Sequence, residues 1–325
     1  MDIKVFSQLN NEGILTDTQL VSIQSGETNR PVSLAWELKT LMYCGVLSLT
    51  TGLGILIYKN LDSIGHLAIV ISIAVAMLLC FAWCYKKTAP FTFQKPSSGN
   101  LLQDYILLLG CMLMLIFLSY LHVQYSVFGN RWGMATFIPM IILFIVAYYF
   151  DHLGVLSMAV INLAAWAGIT VTPMHLLKNN NFSNERIILA GIFLGILLIV
   201  LAIATKIKDI KKHFAFTYKN FGVHLLFICI IAGMIHFESI YLLFFLLLAA
   251  IGYYQFTEAY KEKSLYFIVV AALYSYIGLS YVLMYILFHS SFTEGALYIA
   301  FFYFIFSAIG FISILMKFNK MLKNS

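Results

Sequence analysis

The chain has 325 residues, of which 62% are hydrophobic and 10% charged, with mean hydropathy +0.90 and formal net charge +6. A soluble domain carries about 25% charged residues, so this composition excludes a water-soluble globular protein and points to an all-α, polytopic integral membrane protein. The basic residues fall between the apolar stretches, where they set orientation. No basic face with interleaved aromatics stands out, so the expected partner is the lipid bilayer and not nucleic acid.

Residues 1–37 are polar and precede the first apolar run, which itself serves as the expected targeting signal. Asp2 to Asn11 reads as a short helix stopped near Gly13. Thr16-Asp17-Thr18-Gln19 then has the form of a capping box, in which Thr16 and Gln19 satisfy each other's backbone N–H groups. A second short helix carries Leu20, Val21 and Ile23 and ends near Gly26. The expected head (1–37) is a small amphipathic helical hairpin on the cytoplasmic side, docked on the membrane face or on the protein's own loops.

Ten apolar segments follow, at about 38–58, 64–85, 103–121, 132–149, 153–172, 187–205, 221–237, 239–256, 264–288 and 294–316. Most come close to the roughly 20 residues that carry a helix across a hydrocarbon core of about 30 Å. They make a transmembrane domain over 38–316, with a short basic cytoplasmic tail at 317–325. The first two segments meet at the polar elbow Tyr58 to Gly65. Longer polar linkers run from Lys86 to Leu102, Pro173 to Arg186 and Lys206 to Asn220. The join at Glu238 is the tightest, and one long broken helix there would lower the count to nine.

Ten spans with an inside N-terminus place sixteen of the twenty Lys and Arg residues inside and four outside, namely Lys59, Arg131, Lys178 and Arg186. An excess of positive charge marks cytoplasmic segments. Both termini are therefore expected in the cytoplasm.

Three elbows share a pattern: Leu61-Asp62-Ser63-Ile64, Phe150-Asp151-His152-Leu153 and Phe237-Glu238-Ser239-Ile240. The acids recur every three spans, which admits two readings. One is three-span inverted units, an architecture common in secondary transporters. The other is local: an acid near the N-terminus of the following helix caps its N–H groups and meets its dipole. On the second reading Asp62, Asp151 and Glu238 are structural, and an Asn in place of any one should be mild.

All fourteen acids lie at span ends or in loops, unlike the intramembrane carboxylates of ion-coupled pumps. Among span residues, Asn162 and Trp166 share a helix face and are candidates to line a cavity, although an Asn in a span more often bonds across to a neighbouring helix. His224 and His236 fall near opposite ends of the seventh segment, about 18 Å apart along a helix, which rules out a shared metal and favours interfacial positions. Gly191 and Gly195 form a GxxxG that permits close helix approach. Pro139 should kink its helix. The cysteines, including Cys80 and Cys84 one turn apart, read as small packing residues. The sequence holds no nucleotide, zinc-protease or serine-hydrolase motif. No catalytic, cofactor-binding or metal-ligating residue is expected.

The head reads LNNEGILT from Leu9 to Thr16, a case of L-x-x-x-G-I-x-[ST], and the first elbow reads GILIYKNLDSIG from Gly54 to Gly65. These features resemble a bacterial family of predicted membrane proteins, domain-of-unknown-function 2157, over roughly the first 85 residues. Leu61 departs from the Trp of that pattern. The resemblance implies a bacterial inner-membrane protein and brings no activity with it. Span number and the absence of a large soluble domain favour a transporter or channel-like carrier of a small or lipidic solute. The alternative is a non-transporting scaffold or assembly partner in an envelope complex, meeting its partner through the head or the basic 206–220 loop.

Overall fold

The computed structural model describes residues 12, 15, 16, 18–20, 35–59, 66–88, 91–93, 101–129, 131–171, 185–289 and 293–324. The first head helix, the second beyond Leu20, and the elbow holding Asp62 lie outside those residues. Within them stand ten helices long and apolar enough to cross a membrane. The chain divides into two compact units, 1–59 and 60–325.

In the first unit, half of the capping box forms. Gln19 Oε1 accepts from the Thr16 N–H at 3.0 Å, but the Thr16 hydroxyl turns to the same Oε1 instead of a backbone N–H. Helix α1 (Ala35–Lys59) follows. It buries its hydroxyl requirement internally, with Thr50 Oγ1 donating back to the carbonyls of Val46 and Leu47 at 2.9 and 3.0 Å.

The second unit holds α2 (His66–Lys87), α3 (Leu101–Tyr125), α4 (Trp132–Phe150), α5 (Leu153–Val171) and α6 (Glu185–Ile207). It continues with α7 (Phe214–His236), α8 (Tyr241–Lys261), α9 (Leu265–His289) and α10 (Thr293–Asn324). Sequential neighbours pack as antiparallel pairs, and α7 touches α5, α6, α8 and α9. Half of the span window of α7 is buried, against 6% in α10. This makes α7 the hub of the unit.

The sequence puts α7 there through glycine. Gly222 faces Gly195 of α6 so closely that an added Cβ on Gly222 would lie 2.9 Å from the Gly195 carbonyl oxygen. Gly191, one turn earlier on α6, leaves room for Cys229. The GxxxG of α6 is thus the seam against α7, as small residues allow in a membrane where packing drives association. Around that seam one core joins Leu107, Cys111, Leu143, Leu156, Leu198 and Phe214, and a second joins Phe227, Ile230, Met234 and Leu248. Cys84 and Cys111 are fully buried in the first core, and all five cysteines are free thiols.

One boundary differs from expectation, and one alternative is resolved. Helix α7 begins at Phe214, inside the stretch read as the Lys206–Asn220 loop, because Phe214, Ala215 and Tyr218 are buried core residues. The join at Glu238 is a true break: α7 ends at His236, one short 3-10 turn spans Glu238–Ile240, and α8 starts at Tyr241. The nine-span alternative therefore falls. Helix α4 runs on through Pro139, which is buried.

Candidate functional site

Four connections meet at one end of the second unit: 91–93, the Asp151–His152 elbow, 208–213, and Glu262 to Ser264. The Lys211 N–H donates to the Phe93 carbonyl at 3.0 Å, and its Nζ donates to Asp151 Oδ1 at 2.9 Å. His213 Nε2 meets the same Oδ1 at 2.7 Å. The lysine side chain is 1% exposed and the aspartate 7%. The Phe91 ring lies 5.0 Å from the ammonium and the Phe214 ring 5.9 Å, so aromatic faces complete the lysine's surroundings. Asp151 Oδ2 is buried and meets no partner among the described residues.

This geometry corrects the capping assignment of Asp151. Asp151 is the left-handed C-cap of α4, with φ 58°, and its carboxylate is spent on Lys211 and His213. The side chain that caps α5 is His152, whose Nδ1 accepts from the Val155 N–H at 3.0 Å. Its ring lies over Gly154, where a Cβ would come within 2.9 Å of it. Burial holds the His152 pKa below its ordinary 6.5, while Asp104 pulls the other way through its charge and its backbone. Glu238 opens the 3-10 turn before α8, and no side chain caps that turn.

Beside this cluster, α6, α7 and α8 enclose a cleft of about 320 Å³. Its deep wall is apolar, with Ile199, Ala202 and Ile203, and its mouth carries Lys206, Lys219, Glu258 and Glu262. Glu262 bridges the two lysines, accepting from Lys219 Nζ at 2.6 Å and from Lys206 Nζ. Burial pushes its carboxyl pKa up, but the hydrogen bonds and charges of the lysines outweigh that and leave it below the ordinary 4.5. Gln255, buried in the cleft wall, has an Oε1 without a partner. Lys206, Lys211 and Lys219 thus each make an ion pair within the protein, while Lys208 and Lys212 of the same stretch are exposed.

His224 also moves. Because α7 starts at Phe214, His224 sits at mid-helix and not at an end. There its ring nitrogens meet Tyr274 and Tyr266 hydroxyls of α9, each at 2.9 Å, and Tyr266 donates onward to Asn220 Oδ1 at 2.6 Å. His236 ends α7 and contacts the Phe237 ring. Asn162 does not reach across to another helix; its amide donates to the Met158 carbonyl of its own α5 at 2.9 Å. Trp166 packs on Phe137 of α4, ring centroids 5.3 Å apart. Neither Asn162 nor Trp166 joins the two polar groups at the basic end.

Lys211, His213, Gln255 and Glu262 escape sequence reading. Each is a polar residue at a helix end, where solvation is the ordinary explanation, and the one signal for Lys211 is its place just before the apolar-aromatic run Phe214 to Phe216. Among the described residues no three His, Cys, Asp or Glu side chains cluster as a metal site would require.

Fold and charged end together define a polytopic, all-helical membrane protein with about ten spans. Residues 7–156 match the model of a family described as predicted membrane protein (DUF2157). The match extends the resemblance from the head through α4 and into α5, covering the N-terminal part of the chain. No curated protein and no solved structure matches the sequence.

Proposed function

We propose that this protein carries a lipidic solute in the bacterial cytoplasmic membrane, with both termini and the 1–37 head in the cytoplasm and the four-connection end facing inward. The observation behind the solute class is the cleft between α6, α7 and α8, charged at its mouth and apolar in its depth. Such a site suits an amphiphile entering sideways from the bilayer better than a polar solute crossing an aqueous channel. The sixteen-to-four distribution of Lys and Arg supports the orientation. Opposite-facing elbows at Asp151 and Glu238 agree with three-span inverted units, although their local geometries differ, one left-handed and one a 3-10 turn.

The second reading is a non-transporting scaffold, with the head as its contact surface. The glycine seam of α6 and α7 favours it, because that pair cannot part without losing its packing. Reconstitution separates the two. In vesicles carrying a fluorescent single-chain phospholipid, a carrier exposes inner-leaflet label to an external quencher. Quenching that stops at the outer leaflet, with correctly inserted protein, refutes carriage. Reporter fusions at Ser325 test the orientation: high phosphatase activity there would place the C-terminus outside.

A further inference from the structure

The cleft contains one buried polar atom that none of the described residues satisfies. Gln255 is 2% exposed, lines the cleft, and leaves its Oε1 without a hydrogen-bond partner. A buried carbonyl oxygen in this position carries a desolvation penalty that a bound donor would remove.

Three observations describe what would bring that donor. At the mouth, Lys206 and Lys219 share the single carboxylate of Glu262, while Glu258 is paired with Lys261, which stands outside the cleft lining, so the two mouth lysines face one uncommitted negative charge between them. An ammonium has three N–H donors, so Lys206 and Lys219 retain donors for a phosphate oxygen. Gln255 precedes Glu262 by seven residues, about 10 Å along a helix, so the acceptor lies deeper in the bilayer than the charges. From the cleft, Ile196, Val200, Ile203 and Ile207 form an exposed stripe along α6, spaced for one helix face.

The geometry points to a monoacyl glycerophospholipid as the occupant of this cleft. Its phosphodiester supplies one negative charge at Lys206 and Lys219. Its unesterified glycerol hydroxyl, between phosphate and acyl chain, donates to Gln255 Oε1. Its single chain follows the stripe on α6. A diacyl lipid has that hydroxyl esterified and offers no donor at this depth. A cleft of about 320 Å³ also holds a headgroup and glycerol more readily than two chains. The inference shares the lipidic reading above but concerns occupancy alone, so it stands if translocation fails.

The test uses the purified full chain in a neutral detergent and four probes: lysophosphatidylcholine, its 2-deoxy analogue lacking only the hydroxyl, diacyl phosphatidylcholine, and chainless glycerophosphocholine. Apparent Kd is read from ligand-dependent thermal stabilisation. Lysophosphatidylcholine should bind tighter than its deoxy analogue by roughly three- to ten-fold, the range expected of one buried hydrogen bond, and tighter than the other two probes. Gln255→Met should bring that ratio to about one, since the acceptor is gone. Lys206→Gln with Lys219→Gln should weaken the lysolipid and its deoxy analogue alike. Equal binding of those two by the parent overturns the proposal, as does an unchanged ratio in Gln255→Met. If that variant does not fold, the parent's own ratio decides. Glycerophosphocholine binding as tightly as the lysolipid would assign the site to a soluble phosphate ester and also overturn it.

Discussion

Removing the Lys211 ammonium should unfold the protein far more readily than its surface-loop position in the sequence suggests. An exposed ion pair is worth about 0–1 kcal/mol, but Lys211 and Asp151 are 1% and 7% exposed and 2.9 Å apart. Taking one partner from a buried pair leaves an uncompensated charge and costs about 3–5 kcal/mol. Lys211→Met should therefore lower Tm by several degrees in detergent. Asp151→Asn should cost a similar amount, because Lys211 then has no counter-charge, with only His213 left beside the neutral amide. If Asp151 merely capped a helix, Asn would serve nearly as well and the change would be mild. The double variant Asp151→Asn with Lys211→Met should recover much of the loss, since replacing both charges is often close to neutral. Thermal melting monitored by intrinsic fluorescence measures all three. Asp151→Asn melting with the parent, or a double variant as poor as the sum of the singles, would refute the buried-pair argument.

Gly222→Ala should cost about 1–3 kcal/mol by overpacking the α6–α7 seam, because the obstructing atom is the Gly195 carbonyl oxygen 2.9 Å away; Gly54→Ala, with nothing within 4 Å of the new Cβ, is the control, and comparable melts for the two would refute the seam. His152, held neutral by burial, binds a proton less readily folded than unfolded. Its contribution is present above the ordinary 6.5 and is lost as pH falls below that value toward the lowered one, so His152→Asn, which keeps a cap but cannot titrate, should flatten the melting profile there; an unchanged acid slope would refute this. Tyr274→Phe should cost about 0.6 kcal/mol and at most about 1.7, the range measured for interhelical hydrogen bonds in a membrane, since His224 Nδ1 loses its partner on α9; a neutral result in detergent melting would show the contact contributes nothing.

The spans were legible because apolar length alone decides whether a helix can cross the bilayer, and the close approach of α6 because Gly191 and Gly195 stand four residues apart, although its partner α7 was not. The start of α7 was not. Lys206 to Asn220 is polar by composition, yet Phe214, Ala215 and Tyr218 are buried against partners from distant segments, and no local window shows that. Asp151 was misassigned for the same reason. Sequence places it before a helix, where capping is the default, whereas its partners lie 60 and 62 residues away. His224 illustrates how a boundary error propagates: moving the helix start to Phe214 turns an interfacial histidine into a mid-span bridge. Gln255 reads as one amide near a helix end, and only the convergence of α6 and α7 on it leaves its oxygen buried.

The separation of Asp151 from Lys211 also orders events during synthesis. A ribosome adding about 5–20 residues per second needs roughly 3–12 s to make the 60 residues between them. Through that interval the carboxylate is unpaired, at first on α4 alone and then on the α4–α5 hairpin once Val171 is made, and the elbow cannot withdraw from water without leaving a bare charge behind. The nascent elbow therefore stays at the aqueous boundary while α6 is made. Arrival of Lys211 and His213 neutralises it and draws 91–93 in through the Phe93 carbonyl. Phe214 follows three residues later, so charge closure comes just before the hub helix enters. A ribosome stalled between α6 and Lys211 should hold a hairpin whose elbow is still open to a water-soluble probe, and one stalled after α7 should not.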